Sequence, residues 1–188
     1  MNITQITQIV AIAAVFSGPV QAEQSVTVYV QDGAIVPGQT LARAEGLAGK
    51  MFAKVGVRID WRVGRPNGAA ITVGMSDVPS AYHPGALAFA QPYEGVHITV
   101  FYDRIHKGFA PDVAPALLAH VLVHEITHII QGVDRHSETG VMKAHWTAAD
   151  YTEMRARPLP FTDWDLVLIQ KGLASRDSRL SAQTGTVE

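Results

Sequence analysis

The residues best suited to chemistry are two histidines and a glutamate in the run His124 to His128, which reads H-E-I-T-H. Side chains four positions apart lie on one face of a helix, so both imidazoles can reach one metal ion about 2 Å away. Glu125 projects beside that ion, where it can take a proton from water and pass it to a leaving amine. Leu117 and Val121 share the stripe of the two histidines, which turns the motif towards the interior. The pattern therefore indicates a catalytic metal ion.

A catalytic metal of this kind needs a third protein ligand and one open position. The chain contains no cysteine, so any further ligand must be His, Asp or Glu. Asp134 and His136 both follow the motif closely. Gly132 lies between the motif and these two residues, where it can end the helix and allow the chain to turn back towards the metal. From the residues alone either side chain can complete the site, and binding of both would close it.

The run from His124 to Met142 resembles the metzincin clan of zinc metallopeptidases, which includes matrixins, astacins and serralysins. The similar pattern is H-E-x-x-H, then Gly, then His-Ser, then Gly-x-Met, and it also resembles short bacterial secreted metzincin-like proteins. The resemblance implies one Zn²⁺ per chain, held by His124, His128 and His136. It also implies Glu125 as the general base and Met142 as the Met-turn residue beneath the site.

The spacing departs from the clan at the third ligand. In the clan this ligand usually lies six residues after the second His, and Asp134 occupies that position here. A small metzincin branch uses Asp there, so Asp134 is the alternative metal ligand. We favour His136, two residues further on, because Ser137, Gly140 and Met142 match the run that follows the clan's third His.

The elements that must position these residues follow from periodicity and turn signals. They predict an α+β domain with a twisted mixed sheet of four to five strands, an active-site helix, a Met-turn and C-terminal helices, similar to the metzincin domain. Pro84 and Pro92 bracket a short strand, which suits the edge of the sheet. By resemblance the substrate backbone pairs with this strand, through Ala86, Leu87, Ala88 and Phe89. The strands are predicted over 25–30, 57–63, 70–74, 86–90 and 97–102, and the helices over 39–55, 112–130, from 147, and over 161–173.

Length, charge and the first residues bound the class of protein. The chain of 188 residues suits one domain, and a formal net charge of -2 gives no electrostatic reason to expect nucleic acid as a partner. The apolar run 9–16 and the small residues after it resemble a signal peptide over residues 1–22, although no Lys or Arg precedes the run. We therefore expect a secreted or periplasmic protein without stable membrane insertion. Its catalytic domain is expected over 23–174 and a polar disordered tail over 175–188.

The function that these features favour is a secreted zinc-dependent endopeptidase, which hydrolyses peptide or protein substrates with metal-activated water and Glu125 as the base. One alternative is a non-catalytic zinc-binding protein of the same fold. Another is a closed structural zinc site that uses both Asp134 and His136. His120 lies one turn before His124, and we expect it to support a ligand or to pack in the core, since four-coordinate zinc leaves no room for it.

Overall fold

The computed structural model describes residues 24–31, 35–66, 70–78, 81, 83–92 and 96–184. Within these ranges five strands and five helices form a mixed α/β fold. The predicted signal peptide, residues 1–22, lies outside the described residues. In chain order the elements are β1 (Gln24–Gln31), α1 (Gly38–Ala53), β2 (Val57–Val63), β3 (Ile71–Ser76), β4 (Ala88–Ala90), β5 (His97–Phe101), α2 (Tyr102–Gly108), α3 (Ala114–Gln131), α4 (Ala148–Ala156) and α5 (Asp163–Thr184).

The strands form one sheet in the order β2-β1-β3-β5-β4. The pairs β1–β2, β1–β3 and β3–β5 are parallel, and β4 runs antiparallel to β5 at one edge. In β1 the residues Val26, Val28 and Val30 are buried, because successive side chains of a strand point to opposite faces. The mixed sheet of five strands agrees with the prediction from the sequence.

The helix α3 passes through the interior of the protein. Every residue from Leu117 to Gln131 is buried, as is expected of a helix that is apolar on nearly all sides. It packs against α1, α4 and α5. At Gly172 on α5 the approach is so close that a Cβ atom would come within 1.9 Å of the Ile130 carbonyl oxygen. The helix that carries the two histidines is therefore held from several directions.

Two elements differ from their predicted form. The strand β4 covers Ala88–Ala90 only, because a turn precedes it in which the Ala86 N–H donates to the His83 carbonyl oxygen at 3.1 Å. Ala86 and Leu87 therefore lead into the strand and do not belong to it. The short helix α2 was not predicted, since its seven residues are too few for a clear helical period. The predicted long helix over 112–130 is present as α3.

The C-terminal helix corrects another prediction. Residues from 175 onward were expected to form a disordered tail, but α5 continues to Thr184. After Gly172 the sequence of this helix contains neither Gly nor Pro, and its Ala, Arg and Gln residues favour helix. Adding residues to an existing helix is much easier than starting one, so the helix continues beyond its contacts with α3. Residues 185–188 lie outside the described part. In that described part, no helix combines the length and the apolar character needed to span a membrane.

Candidate metal centre

Three imidazole rings converge at the C-terminal end of α3. His124 and His128 lie one turn apart, and Gly132 ends the helix in the left-handed conformation with a φ of 67°. The Gly132 N–H donates to the His128 carbonyl oxygen at 2.9 Å, and the chain then turns back to bring in His136. Ring nitrogen atoms of the three histidines all lie within 4.8 Å of one another. This separation allows them to surround one metal ion.

Backbone carbonyl groups determine the tautomers of two of these rings. Nδ1 of His124 lies 2.9 Å from the Val141 carbonyl oxygen, and Nδ1 of His128 lies 3.1 Å from that of Val133. A carbonyl oxygen only accepts, so each Nδ1 carries the hydrogen and donates it. Burial lowers the pKa of His124 to about 3 and also lowers the pKa of His128, so both rings are neutral near pH 7.

The two Nε2 atoms consequently carry no hydrogen, and they face each other at 3.0 Å. Neither atom can donate to the other, and two lone pairs at this distance repel. A cation bound between His124, His128 and His136 removes that repulsion, and imidazole nitrogen is a preferred ligand of zinc. Histidines that bind metals typically donate their other ring nitrogen to a carbonyl or carboxylate, as two of these do. The donor set therefore fits a zinc ion.

Glu125 is a buried carboxyl group beside the three histidines. Burial, followed by the negative charge of Asp134, raises the pKa of Glu125 to about 8, although a hydrogen bond from the Ala90 backbone N–H acts in the opposite direction. A cation at the histidines would lower this pKa again, because it stabilises the carboxylate. Glu125 is thus a buried carboxyl group that contacts β4 and lines the same cleft as the three histidines.

A tight turn supplies the carbonyl group that orients His124. The Ser137 N–H donates to the Met142 carbonyl oxygen at 2.8 Å, and the Val141 N–H donates to that of Pro160 at 2.9 Å. Gly140 has a φ of 77°, and a Cβ atom there would lie 2.2 Å from the Pro160 carbonyl oxygen, so the turn requires glycine. Met142, directly after Val141, is completely buried.

A cleft of about 740 Å³ opens over the three histidines and Glu125. The segment 83–91, which includes β4, lines one side, and the segment 143–146 together with Tyr151 lines the other. Trp146 reaches from this second side to His124, with ring centroids 5.6 Å apart. The strand β4 and the three histidines therefore line the same cleft.

The strand β4 is the edge strand of the sheet, and it lines this cleft. The Phe101 N–H donates to the Leu87 carbonyl oxygen at 2.8 Å, and Phe89 lies opposite β5 two residues later. Alternate residues of an antiparallel strand turn their backbone groups towards the partner strand. The backbone groups of Ala88 and Ala90 therefore point away from β5, and both residues line the cleft.

The rim that precedes β4 is held by a residue that sequence reasoning missed. Nη1 of Arg104, on α2, donates to the carbonyl oxygen of His83 at 2.7 Å and to that of Ala86. Its guanidinium lies 4.1 Å from the centre of the Phe101 ring, and the His83 ring stacks on Phe89 at 4.5 Å. No short-range pattern signals this role, because Arg104 acts on residues that lie about twenty positions earlier.

Asp134 and His120 were also singled out from the sequence, and both lie outside the group of three histidines. Asp134 lines the cleft, but within the described residues the candidate metal-binding group contains the three histidines and not Asp134. His120 is completely buried: its Nδ1 donates to the Ala116 carbonyl oxygen at 2.7 Å, and its Nε2 accepts from the Leu159 N–H at 3.0 Å. Both ring nitrogens are thus used within the core, as expected for a packing role.

Fold and site together define a mixed α/β protein with three converging histidines beside an open sheet edge. No protein-family model matches the chain, and no curated protein matches its sequence. Among solved structures the chain is similar to the archaemetzincin of Methanopyrus kandleri, with a TM-score of 0.57 and 15% sequence identity, covering 83% of this chain and 98% of that chain. At this identity the similarity is one of fold.

Proposed function

We propose that the protein is a secreted zinc-dependent endopeptidase of the metzincin type. The observation that carries the proposal is the convergence of His124, His128 and His136 beside the buried Glu125, at a cleft bordered by the edge strand β4. The fold shared with archaemetzincin and the metzincin-like run 124–142 support the same function. A hydrolase that acts on peptide or protein substrates is the function that this combination supports best.

In the proposed mechanism His124, His128 and His136 would hold one Zn²⁺, which would supply Lewis acidity towards a carbonyl group and water. The carbonyl groups of Val133 and Val141 keep the two helix imidazoles oriented, with each Nε2 free to bind. Glu125 accepts a proton from the attacking water and then donates it to the leaving amine.

An extended peptide would add itself to the sheet at β4. Ala88 offers its N–H and carbonyl groups to a substrate strand, with Ala86 and Leu87 leading into that edge. The Ala90 N–H on the same edge contacts Glu125, which links the substrate strand to the proposed base. Backbone pairing of this kind recognises the middle of a chain as readily as its end, so we propose an endopeptidase.

The two alternatives are less well supported. A closed four-ligand site needs both Asp134 and His136 on the metal, but the group of side chains close enough to hold one ion contains His136 and not Asp134. A non-catalytic zinc protein has no need of a buried glutamate beside an open cleft, where the carboxyl group is costly to ionise. We propose Met142 as the Met-turn residue, which closes the site from below while Val141 orients His124.

Metal analysis combined with a peptide-library cleavage assay tests the proposed function. The purified protein should carry one zinc ion per chain and cleave unfolded protein substrates. Glu125→Gln should leave the zinc bound and reduce turnover by about 10²- to 10⁴-fold, as expected for the loss of a general base. Glu153→Gln is the matched control, because Glu153 lies on α4 and its side chain pairs with the exposed Arg157 just after that helix. Wild-type turnover in Glu125→Gln would place the base elsewhere, and a wild-type protein without zinc would reject the metal centre.

A further inference from the structure

The side chain of Asp165 is almost completely buried, with 1% of its surface exposed, in the first turn of α5. Its Oδ2 accepts hydrogen bonds from the Thr162 N–H at 2.8 Å and from the Thr162 hydroxyl at 2.7 Å. Its Oδ1 accepts one from the Ser137 hydroxyl at 2.6 Å and lies 3.5 Å from Nη1 of Arg135. Arg135 and Ser137 are the two neighbours of His136 in the sequence, so one carboxylate contacts both sides of the third histidine.

The start of α5 does not by itself require this arrangement. Asp150 makes the same kind of capping box with Thr147 at the start of α4, and it does so with a partly exposed side chain. Capping uses only Oδ2 of Asp165, whereas Oδ1 is directed at the segment that carries His136. Burying a carboxylate costs free energy unless hydrogen bonds satisfy its oxygens. Both oxygens of Asp165 have partners, and those of Oδ1 are the residues on either side of His136.

His136 needs such support more than the other two histidines do. His124 and His128 sit on a buried helix, and a carbonyl group holds each ring. Among the residues that the structure describes, none hydrogen-bonds the ring of His136, which is exposed. Its position therefore depends on the backbone on either side of it, which Ser137 anchors to Asp165 and to the Met142 carbonyl oxygen.

We infer that Asp165 is a positioning residue, which holds His136 in place for metal binding through the Ser137 hydroxyl and the Arg135 guanidinium. The inference rests on the proposed metal centre and adds a residue that does not touch the metal. Removing the support should weaken metal binding by about 10- to 100-fold, the usual effect of losing a group that orients a ligand. In a variant that lacks His136, removing the same support should not weaken metal binding further.

The experiment measures the zinc dissociation constant of the full chain by competition with a chelator. Asp165→Asn and Ser137→Ala should each weaken binding by about 10- to 100-fold, and the double variant should be little worse than either. In a His136→Ala background neither substitution should weaken binding further. Asp60→Asn is the control, since it makes the same change in a carboxylate that pairs with Arg58 on β2, at the sheet edge opposite β4, and it should leave the dissociation constant unchanged.

A second measurement separates this inference from the proposed function. Hydrogen exchange of the metal-free protein should show faster exchange over 135–143 in Asp165→Asn and Ser137→Ala than in the wild type, because the Ser137 N–H bond to Met142 opens more often. If the wild type binds zinc and the variants bind it equally well, Asp165 has no positioning role and the metal centre stands. If the wild type binds no zinc, the proposed function is wrong, and unchanged exchange over 135–143 would also overturn the role of Asp165.

Discussion

At the scale of single residues, the three histidines are held in two different ways. His124 and His128 have their tautomers set by carbonyl groups, which directs their Nε2 atoms at a common point. His136 approaches the same point from the loop after Gly132. His136 is the proposed third ligand, and because the sequence also allows Asp134 at this place, substitution is most informative here.

Replacing His136 and Asp134 in turn with alanine tests which of the two is the third zinc ligand. His136→Ala should weaken zinc binding by more than about 100-fold, because one of three protein ligands and the geometry it enforces are lost. Asp134→Ala should change the affinity by less than about tenfold, since its carboxyl group is outside the three-histidine group. Chelator competition on both variants measures the difference. The reverse ranking would establish Asp134 as the third ligand, and complete loss in both variants would indicate the closed four-ligand site.

At the scale of elements, the position of the centre depends on how α3 is packed. The C-terminal half of α3 carries both helix histidines, and α5 crosses it where Gly172 faces Ile130 and Gln131. The edge strand β4 is in turn held by its antiparallel pairing with β5 and by Arg104 on α2. A change at either contact should therefore alter the site or its stability without touching a ligand.

Gly172→Ala should destabilise the protein by about 1 to 3 kcal/mol, the usual cost of adding a methyl group to a packed interface. The new Cβ would lie 1.9 Å from the Ile130 carbonyl oxygen, which is backbone, so the two helices would have to separate. Gly46→Ala on α1 is the matched control: nothing lies within 4 Å of its Cβ, and alanine should stabilise the helix by about 0.5 to 1 kcal/mol. Urea unfolding of both variants checks the opposite signs. Equal effects would show that α5 does not pack on α3 this closely.

Arg104→Met should weaken substrate binding and leave zinc binding unchanged. The substitution keeps a long apolar side chain but removes the donors to the His83 and Ala86 carbonyl groups, so the rim before β4 should loosen. A hydrogen bond to a charged donor contributes about 1.5 to 3 kcal/mol, and we expect KM to rise because substrate binding would then have to order the rim. Steady-state peptide cleavage measures it, with Arg155→Met, which removes only an exposed pair with Asp112, as the control. An unchanged KM would mean that the rim does not contact substrate.

At the scale of the whole molecule, the proposed export signal can be removed without loss of any described element. Val20-Gln21-Ala22, which resembles a small-x-small cleavage site, precedes Glu23, and β1 begins at Gln24. This strand lies between β2 and β3, so it must remain intact for the sheet to form. Cleavage after Ala22 would satisfy that condition.

Mass spectrometry of the protein recovered from the periplasm or the medium should give an N-terminus near Glu23. The physical reason is that an apolar run followed by a small-x-small sequence is what signal peptidase recognises. Replacing Ala22 with a bulky residue, as in Ala22→Leu, should slow the cleavage and leave the precursor in the cell. An intact Met1 on a cytoplasmic pool of wild-type protein would refute export.

The sequence by itself determined the features that depend on neighbours along the chain. Helical periodicity places His124, Glu125 and His128 on one helix. Local turn signals predict the end of α3 at Gly132 and the order of the strands and long helices. The strand β4 was also placed at an edge from its flanking prolines alone. Such features are predictable because a helix or a turn is stabilised by contacts within a few residues.

Only the tertiary structure shows the remainder of the candidate site. The convergence of His136 with His124 and His128 depends on the path of a loop whose contacts reach Met142 and Asp165, and it supports the preference for His136 over Asp134. Arg104 acts on a rim that is distant in sequence. The continuation of α5 to Thr184 depends on a start packed against α3, which the local sequence does not reveal. In each case the deciding contacts join residues far apart along the chain, so their energies exist only after folding has brought those residues together.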